Sequence, residues 1–398
     1  MSKEFSFDDL NKEMSKISKY GDTLDKNTIS DIDEYIHSGN YMLNACLTGS
    51  LFKGYPNNRS VCVAGPSGTG KTFLILNSIR EAQKKGYYIV FYDSENAVDR
   101  EIVEKFGIDP SKMRYEPCNT VQEFRSSVTA LTDTLIEQKS RGIKIPKIMI
   151  VLDSAGNLAT QKEVEDAKSG SDKSDMTRAK LLKSTFRIMI TKMGICKIPF
   201  IFSNHTYMTQ DLFAKQVGGG GTGPEYAASI IMFLGKAKLT EGSEHTGIVV
   251  TVKPNKNRFA KPLPVKIHIS FNKGMNPYVG LEEHINWETC GIQRGNIITD
   301  KQYEKLSESE KANCKAMADK DGVLTGYFSP KDSARKLVVE HLNDTVELNQ
   351  LFSSEVITKD VLEHLDKNLI MPMFMYGVDE HEMEFLLAEN VLSENDDV

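Results

Sequence analysis

The sequence lacks paired cysteines. Its six (Cys46, Cys62, Cys118, Cys196, Cys290, Cys314) form no CxxC pair and have no histidine cluster nearby. That excludes a disulfide framework or zinc ribbon and predicts reduced, buried thiols. No apolar run reaches the ~18 residues of a membrane span, so no membrane partner is expected. The opening stretch MSKEFSFDDLNKEMSKIS has none of the apolar core of a secretory signal, which predicts a cytoplasmic protein. Basic charge is missing from residues 368–398, which carry eight acids and no Lys or Arg. The other 367 residues hold 49 bases against 47 acids, a net of +2. An acidic tail at 379–398 beside a near-neutral body is either a solubilising end or a competitor for an anionic ligand's basic surface.

What is present is ordinary for a globular chain: 398 residues, 40% hydrophobic and 26% charged, enough for one large domain with smaller attachments. Phe5, Phe7, Leu10, Met14 and Ile17 recur at near-helical spacing, predicting a short amphipathic helix that must pack on its own body or on a neighbouring subunit. Residues 1–40 are read as this helix and a polar linker. Apolar strands then alternate with helices. Strands are predicted at 60–65, 87–95, 147–155 and 198–206, with helices after residue 71, over 121–139 and over 175–193. Further strands fall near 229–234, 247–253 and 264–270. This pattern predicts an α/β core over 41–284 with a mostly parallel central sheet covered by helices. From about 285 the chain turns to polar helices, with a turn near GYFSP and a second helical region at 331–367. A small α-rich domain over 285–398 is expected.

The segment GPSGTGKT, residues 65–72, completes GxxxxGK[ST] between an apolar strand and a helix. In that context Gly65, Pro66, Ser67, Gly68, Thr69 and Gly70 form a nucleotide-binding loop whose glycines let backbone N–H groups point at phosphate oxygens. Lys71 adds a point charge and Thr72 a ligand for Mg²⁺. ATP and Mg²⁺ are the cofactors expected. Asp153 ends the strand IMIVLD, poised to hold the metal through water. Asp93 and Glu95 end the preceding strand. Hydrolysis needs a base or orienter for the attacking water; Glu95 is favoured, because Asp93 equally suits a cap for the following helix.

Together with GPSGTGKT, the stretches YDSENAVD, VLDSAGNLATQKEVEDA, SDMTRAKLLKSTFRI, SNHTYMTQ and GGGGTGPEYAAS resemble the phage UvsX-type recombinases of the RecA family, in order over about residues 38–283. The resemblance implies a RecA-like P-loop ATPase that polymerises as a helical filament on single-stranded DNA and pairs it with homologous duplex. It also implies host-cell cytoplasm as the location, and a single-strand-binding protein and a loading mediator as partners. It assigns Glu95 to catalysis and Asp99 to the adenine. His205 becomes the sensor linking the γ-phosphate to a DNA loop, and Lys256 and Arg258 reach a neighbour's ATP. Ile102 stands where the family often has an aromatic on the adenine, and the last 110 residues match only loosely.

The same resemblance puts DNA loops near 157–175 and 207–222. Lys180, Lys183 and Arg187 fall at i, i+3 and i+7, a basic stripe suited to backbone phosphates or simply to water, opposite the apolar Leu182, Phe186, Met189 and Met193. The second loop has one formal positive charge, Lys215, so its run Gly218, Gly219, Gly220 and Gly221 is read as backbone amides approaching phosphates. Tyr207 and Phe213 either stack on bases or pack the loop. Two rival functions stand beside this one: a hexameric DNA helicase with a RecA-like core, which shares the phosphate loop, the glutamate and the trans-acting basic finger, and a non-hydrolysing filament or mediator protein, against which the complete set of Lys71, Thr72, Glu95 and Asp153 argues.

Overall fold

A computed structural model describes residues 5–18, 20–170, 177–208, 216–218, 227–318 and 322–377. The chain divides into two compact units. The first comprises residues up to Ile36, Tyr55–Gly65 and Ile75–Ser229; the second comprises His37–Gly54, Pro66–Leu74 and the chain from Ile230 onward.

In the first unit, five strands form a parallel array: β1 (Ser60–Ala64), β2 (Tyr88–Asp93), β3 (Met113–Pro117), β4 (Ile148–Asp153) and β5 (Phe200–Asn204). Their order is β1–β5–β4–β2–β3. β1, β4 and β5 are buried at every position, as their unbroken apolar sequences require of strands covered on both faces. The helices Val121–Ser140 and Arg178–Cys196 pack on this array through aromatic edges. Phe124 meets Tyr92 at 4.9 Å between ring centroids, and Phe186 meets Phe202 at 4.9 Å. Four of these strands and both helices are those expected from the alternation; the mostly open strand Met113–Pro117, at the end of the order, was not among them.

The predicted N-terminal helix forms over Phe7–Ile17, with Ser6 and Asp9 making a capping box. None of its residues is buried: Phe7 is 69% exposed and Ile17 82%. Of the two supports expected for it, the described residues of the chain's own body do not bury it.

In the second unit the three predicted later strands appear as an antiparallel set, Ile230–Glu241, Glu244–Asn257 and Val265–Ser270. The helix Tyr41–Thr48 is buried from Met42 to Thr48 and capped by Asn40, whose amide also donates to Val279 O at 2.8 Å.

The α-rich reading of the C-terminal region is corrected here. Residues 292–347 form a five-stranded antiparallel sheet in the order Lys315–Ala318, Leu324–Pro330, Ile292–Ile298, Lys336–Val339, Asp344–Glu347. GYFSP is strand rather than turn; the helices between these strands are single turns, Asp300–Tyr303 and Glu308–Ala312, and a longer helix follows at Lys359–Leu365. The cause is one-sided burial. Gly326 and Phe328 point inward while their neighbours are partly open, so the segment reads as polar although its period is two. Trp287, Met317, Phe328 and Val338 form its core, with Trp287 stacked on Phe328 at 4.2 Å.

All six cysteines are free. Burial pushes the Cys46 and Cys118 thiols up to about 12, which leaves them chemically inert near neutral pH. Among the described residues no helix is long and apolar enough to cross a membrane.

Candidate functional site

The register of the parallel array decides what gathers at its C-terminal edge. Asp93 at the end of β2 lies directly opposite Asp153 at the end of β4, and Ala64 lies opposite Asn204. Two carboxylates so close in a buried edge require donors, and each has them. Ser203 donates its hydroxyl to Asp153 Oδ1. Asp93 accepts from the Glu95 amide at 2.9 Å and the Tyr115 hydroxyl at 3.1 Å. The Tyr115 hydroxyl is held above its ordinary acidity range, first by burial and then by the charge of Asp93 beside it, so it stays a donor. Asp93 is therefore a brace for the Glu95 backbone rather than a cap for a following helix.

Glu95 is the meeting point. Its Oε1 accepts from the Ser154 hydroxyl at 2.5 Å and lies 2.8 Å from His205 Nε2. His205 follows β5 directly, and Gly65, which opens the phosphate loop after β1, donates its amide to Asn204 O at 3.1 Å. Gly156 is needed for this closeness: a Cβ there would stand 3.0 Å from Asn204 Oδ1 and 3.4 Å from His205 Cδ2.

In the second unit, the phosphate-loop residues Gly68 and Gly70 have φ of +70° and +88°, a conformation that side chains resist. Lys71 is buried and donates to Pro66 O at 3.1 Å, while Thr69 donates to the same carbonyl at 2.9 Å. Thr72 is half-buried at the start of the helix Lys71–Lys84. Lys236 joins the loop from the strand Ile230–Glu241, donating to Ser67 O at 3.2 Å. Its sequence context carries no motif that would have revealed it. Lys256 is the last residue but one of the long strand, before Asn257, whose side-chain amide donates to Cys46 O and Leu47 O and whose Oδ1 accepts from Phe259 N. That fixed turn leaves Arg258 exposed.

Asp99, expected at an adenine, caps the helix Arg100–Lys105 and accepts from Ile102 N at 2.8 Å. It borders a cavity of about 340 Å³ lined by Val98, Val103, Met113 and Tyr115.

The basic stripe is as the spacing predicts. Lys180, Lys183 and Arg187 are exposed on the helix Arg178–Cys196, whereas Leu182, Phe186, Met189 and Met193 are buried. Arg178 anchors the start of that helix by donating to Gly156 O and to Leu158 O. Part of the first expected loop is a helix, Gln161–Ser169, started by a capping box between Thr160 and Glu163. The T-x-x-E spacing was the available signal.

The second loop begins as a ladder. Thr206–Met208 pairs antiparallel with Gln216–Gly218, setting Thr206 opposite Gly218 and Tyr207 opposite Val217. Tyr207 is 63% exposed. Phe213, Lys215, Gly219, Gly220, Gly221 and the acidic tail 379–398 lie outside the described residues.

A phosphate-binding loop, a carboxylate edge on parallel strands and a hairpin leaving that edge define a nucleotide-binding α/β protein, and comparison supplies the class. Residues 4–276 match the RecA N-terminal domain, well over half of the chain; the chain belongs to the RecA family. It is 34% identical over 243 residues to the recombination and repair protein of Enterobacteria phage T4, which covers 60% of this chain and 60% of that protein. It is 25% identical over 271 residues to Protein RecA of Malacoplasma penetrans, covering 67% of this chain and 77% of the relative. It is 29% identical over 229 residues to DNA repair protein recA homolog 3, mitochondrial, of Arabidopsis thaliana, covering 56% and 50%. The matched region thus spans about 60% of the phage relative's length.

Proposed function

We propose that the chain is an ATP-dependent recombinase. It assembles as a helical filament on single-stranded DNA, pairs that strand with homologous duplex and hydrolyses ATP in response to DNA. The observation that carries this reading is the convergence of Ser154 and His205 on one oxygen of Glu95, with His205 immediately before the hairpin that leads into the glycine run. A carboxylate of this kind suits a water-activating base, and the hairpin gives it a route to a DNA-binding loop.

The residues suit ATP and Mg²⁺. The positive φ at Gly68 and Gly70 makes a cradle without side chains; a Cβ on Gly70 would meet Ile269 Cδ1 at 2.9 Å. Backbone amides of 67–70 and the ammonium of Lys71 take the phosphates, with Gly65 and Pro66 shaping the loop's entry, and Asp99 takes the base. Thr72 would hold the metal directly and Asp153 through water, since the metal needs only one or two protein oxygens beside substrate phosphates. When bound, the metal neutralises charge on the β- and γ-phosphates. Glu95 takes a proton from the attacking water as its oxygen bonds to the γ-phosphorus and the bond to the β-phosphate oxygen breaks, releasing ADP and phosphate. Lys256 and Arg258 of one subunit stabilise that charge in the next, as an arginine finger does.

On the DNA side, Lys180, Lys183 and Arg187 contact the phosphate backbone. Amides of Gly218, Gly219, Gly220 and Gly221 and the ammonium of Lys215 add phosphate contacts, with Tyr207 and Phe213 against bases. The Phe7–Ile17 helix packs on a neighbouring subunit of the filament. A single-strand-binding protein and a loading mediator complete the set of partners, in the host-cell cytoplasm.

The test joins an ATPase assay, with and without single-stranded DNA, to negative-stain microscopy on DNA with a slowly hydrolysed ATP analogue. Helical filaments and DNA-stimulated hydrolysis are expected. Closed rings that unwind duplex, or filaments without turnover, would replace this reading with the helicase or the mediator.

A further inference from the structure

Two of the side chains that hold Glu95 differ greatly in standing. His205 is partly open to solvent and leads into the hairpin. Ser154 is completely buried, and its own backbone is locked: the Ser94 hydroxyl donates to Ser154 O at 2.8 Å and accepts from Ser154 N at 2.9 Å. Ser94 in turn donates its amide to Asp153 O at 2.8 Å, and the Ala155 amide donates to Ser203 O at 3.0 Å. Ser154 is thereby fixed from both neighbouring strand ends, and its hydroxyl has a set direction. That hydroxyl is spent on Glu95 Oε1 at 2.5 Å, a charge-assisted bond of the short, strong kind.

From this we infer that Ser154 is the positioning residue for Glu95, orienting the carboxylate for water whether or not His205 stays attached. The two holders divide the work. Ser154 sets the direction of Glu95 permanently, and His205 makes its use conditional on the state of the hairpin. The inference rests on the recombinase reading of Glu95 and assigns a role that reading leaves open. A buried serine with a free choice of partners ordinarily satisfies itself on a nearby carbonyl; here the backbone carbonyl of Ser154 is already used and the hydroxyl goes to the acid.

The experiment is steady-state ATP hydrolysis by full-length Ser154→Ala, with and without single-stranded DNA, beside wild type and His205→Ala, with thermal unfolding of each as a folding control. Removing a charge-assisted hydrogen bond that orients a base predicts a fall in kcat of about 10- to 100-fold. KM for ATP should stay within about two-fold, because no phosphate contact is lost. The ratio of DNA-stimulated to basal rate is expected to survive in Ser154→Ala and to collapse in His205→Ala. Ser154→Cys keeps the size and a weak S–H donor, so its kcat should fall between wild type and Ser154→Ala. It also takes over the test if Ser154→Ala does not fold. A folded Ser154→Ala with wild-type kcat, or one whose loss lies in KM, overturns the inference. Wild type that fails to hydrolyse ATP with DNA overturns the recombinase reading instead, so the two failures are told apart.

Discussion

The edge of the parallel array and the C-terminal antiparallel sheet solve opposite problems. At the edge of β1–β5, Asp93, Glu95 and Asp153 crowd together, and each is tied to hydroxyls and amides supplied by neighbouring strand ends. The 292–347 sheet gathers apolar and aromatic surface instead. Trp287 lies on Phe328, Tyr303 on Tyr327 at 3.8 Å, and Lys315 sits over Trp287 while pairing with the exposed Glu288. Substitution in the first region leaves a polar group unsatisfied but hardly changes packing. Substitution in the second opens a cavity and touches no chemistry. Chemistry and stability are thus stored in different places.

That contrast is breakable. The largest expected effect is Glu95→Gln, which keeps the shape and removes the proposed base: kcat for ATP should fall by roughly 10²- to 10⁴-fold with an unchanged thermal midpoint. Loss of folding instead would mean that the edge also carries stability. Next, Phe328→Ala should cost about 3–5 kcal/mol in chemical denaturation, with kcat per folded molecule unaltered. A change in kcat would erase the division. Replacing Lys180, Lys183 and Arg187 together by Ala should weaken single-stranded DNA binding across all sequences. The log–log salt slope should drop by about 2, as three lost phosphate contacts require. An unchanged slope means that the stripe only faces water. Lys236→Ala should loosen nucleotide binding by several-fold in a titration, because its ammonium rests on the loop at Ser67 O.

The smallest effect concerns pH. Burial pushes the Asp366 carboxyl up to about 6, against the pull of the Ser50 hydroxyl and Leu51 amide that donate to it. A raised folded-state value means that the native chain binds the proton more tightly than the unfolded one. Asp366 therefore makes stability decline as pH rises from about 4 to about 6. Asp366→Asn should flatten that stretch of a Tm–pH curve; a curve of wild-type slope would show that Asp366 is not its source.

Much of the site was legible because strand ends announce themselves. An apolar run closing on Asp153 or on Asp93-Ser-Glu95, and a glycine loop opening a helix, are local patterns, and the structure preserves their locality. The stripe on Arg178–Cys196 was legible for the same reason, since a helix of period 3.6 maps spacing directly onto a face. What stayed hidden depends on register between distant segments. Nothing near Ser154 in sequence names Glu95, and nothing near Ser203 names Asp153; only the alignment of β2, β4 and β5 joins them. The terminal sheet was hidden differently. Short strands with one wet face carry so few apolar residues that their alternation resembles polar helix, and Thr160 begins a helix inside what composition alone presents as loop.

One rung of the hairpin deserves its mechanical meaning. Thr206 is bonded into register with Gly218, and Thr206 is the next residue after His205. On the proposed reading the ladder acts as a short connecting rod: a displacement of His205 along the strand would reach Gly218, the first of the four glycines, through the paired strands. Because strand pairing moves in whole-residue steps that reverse the faces of every side chain, that rod transmits a position rather than a slack tension. Lengthening the tip between 208 and 216 should leave the transmission intact, whereas a substitution that breaks the Thr206–Gly218 rung should disconnect it.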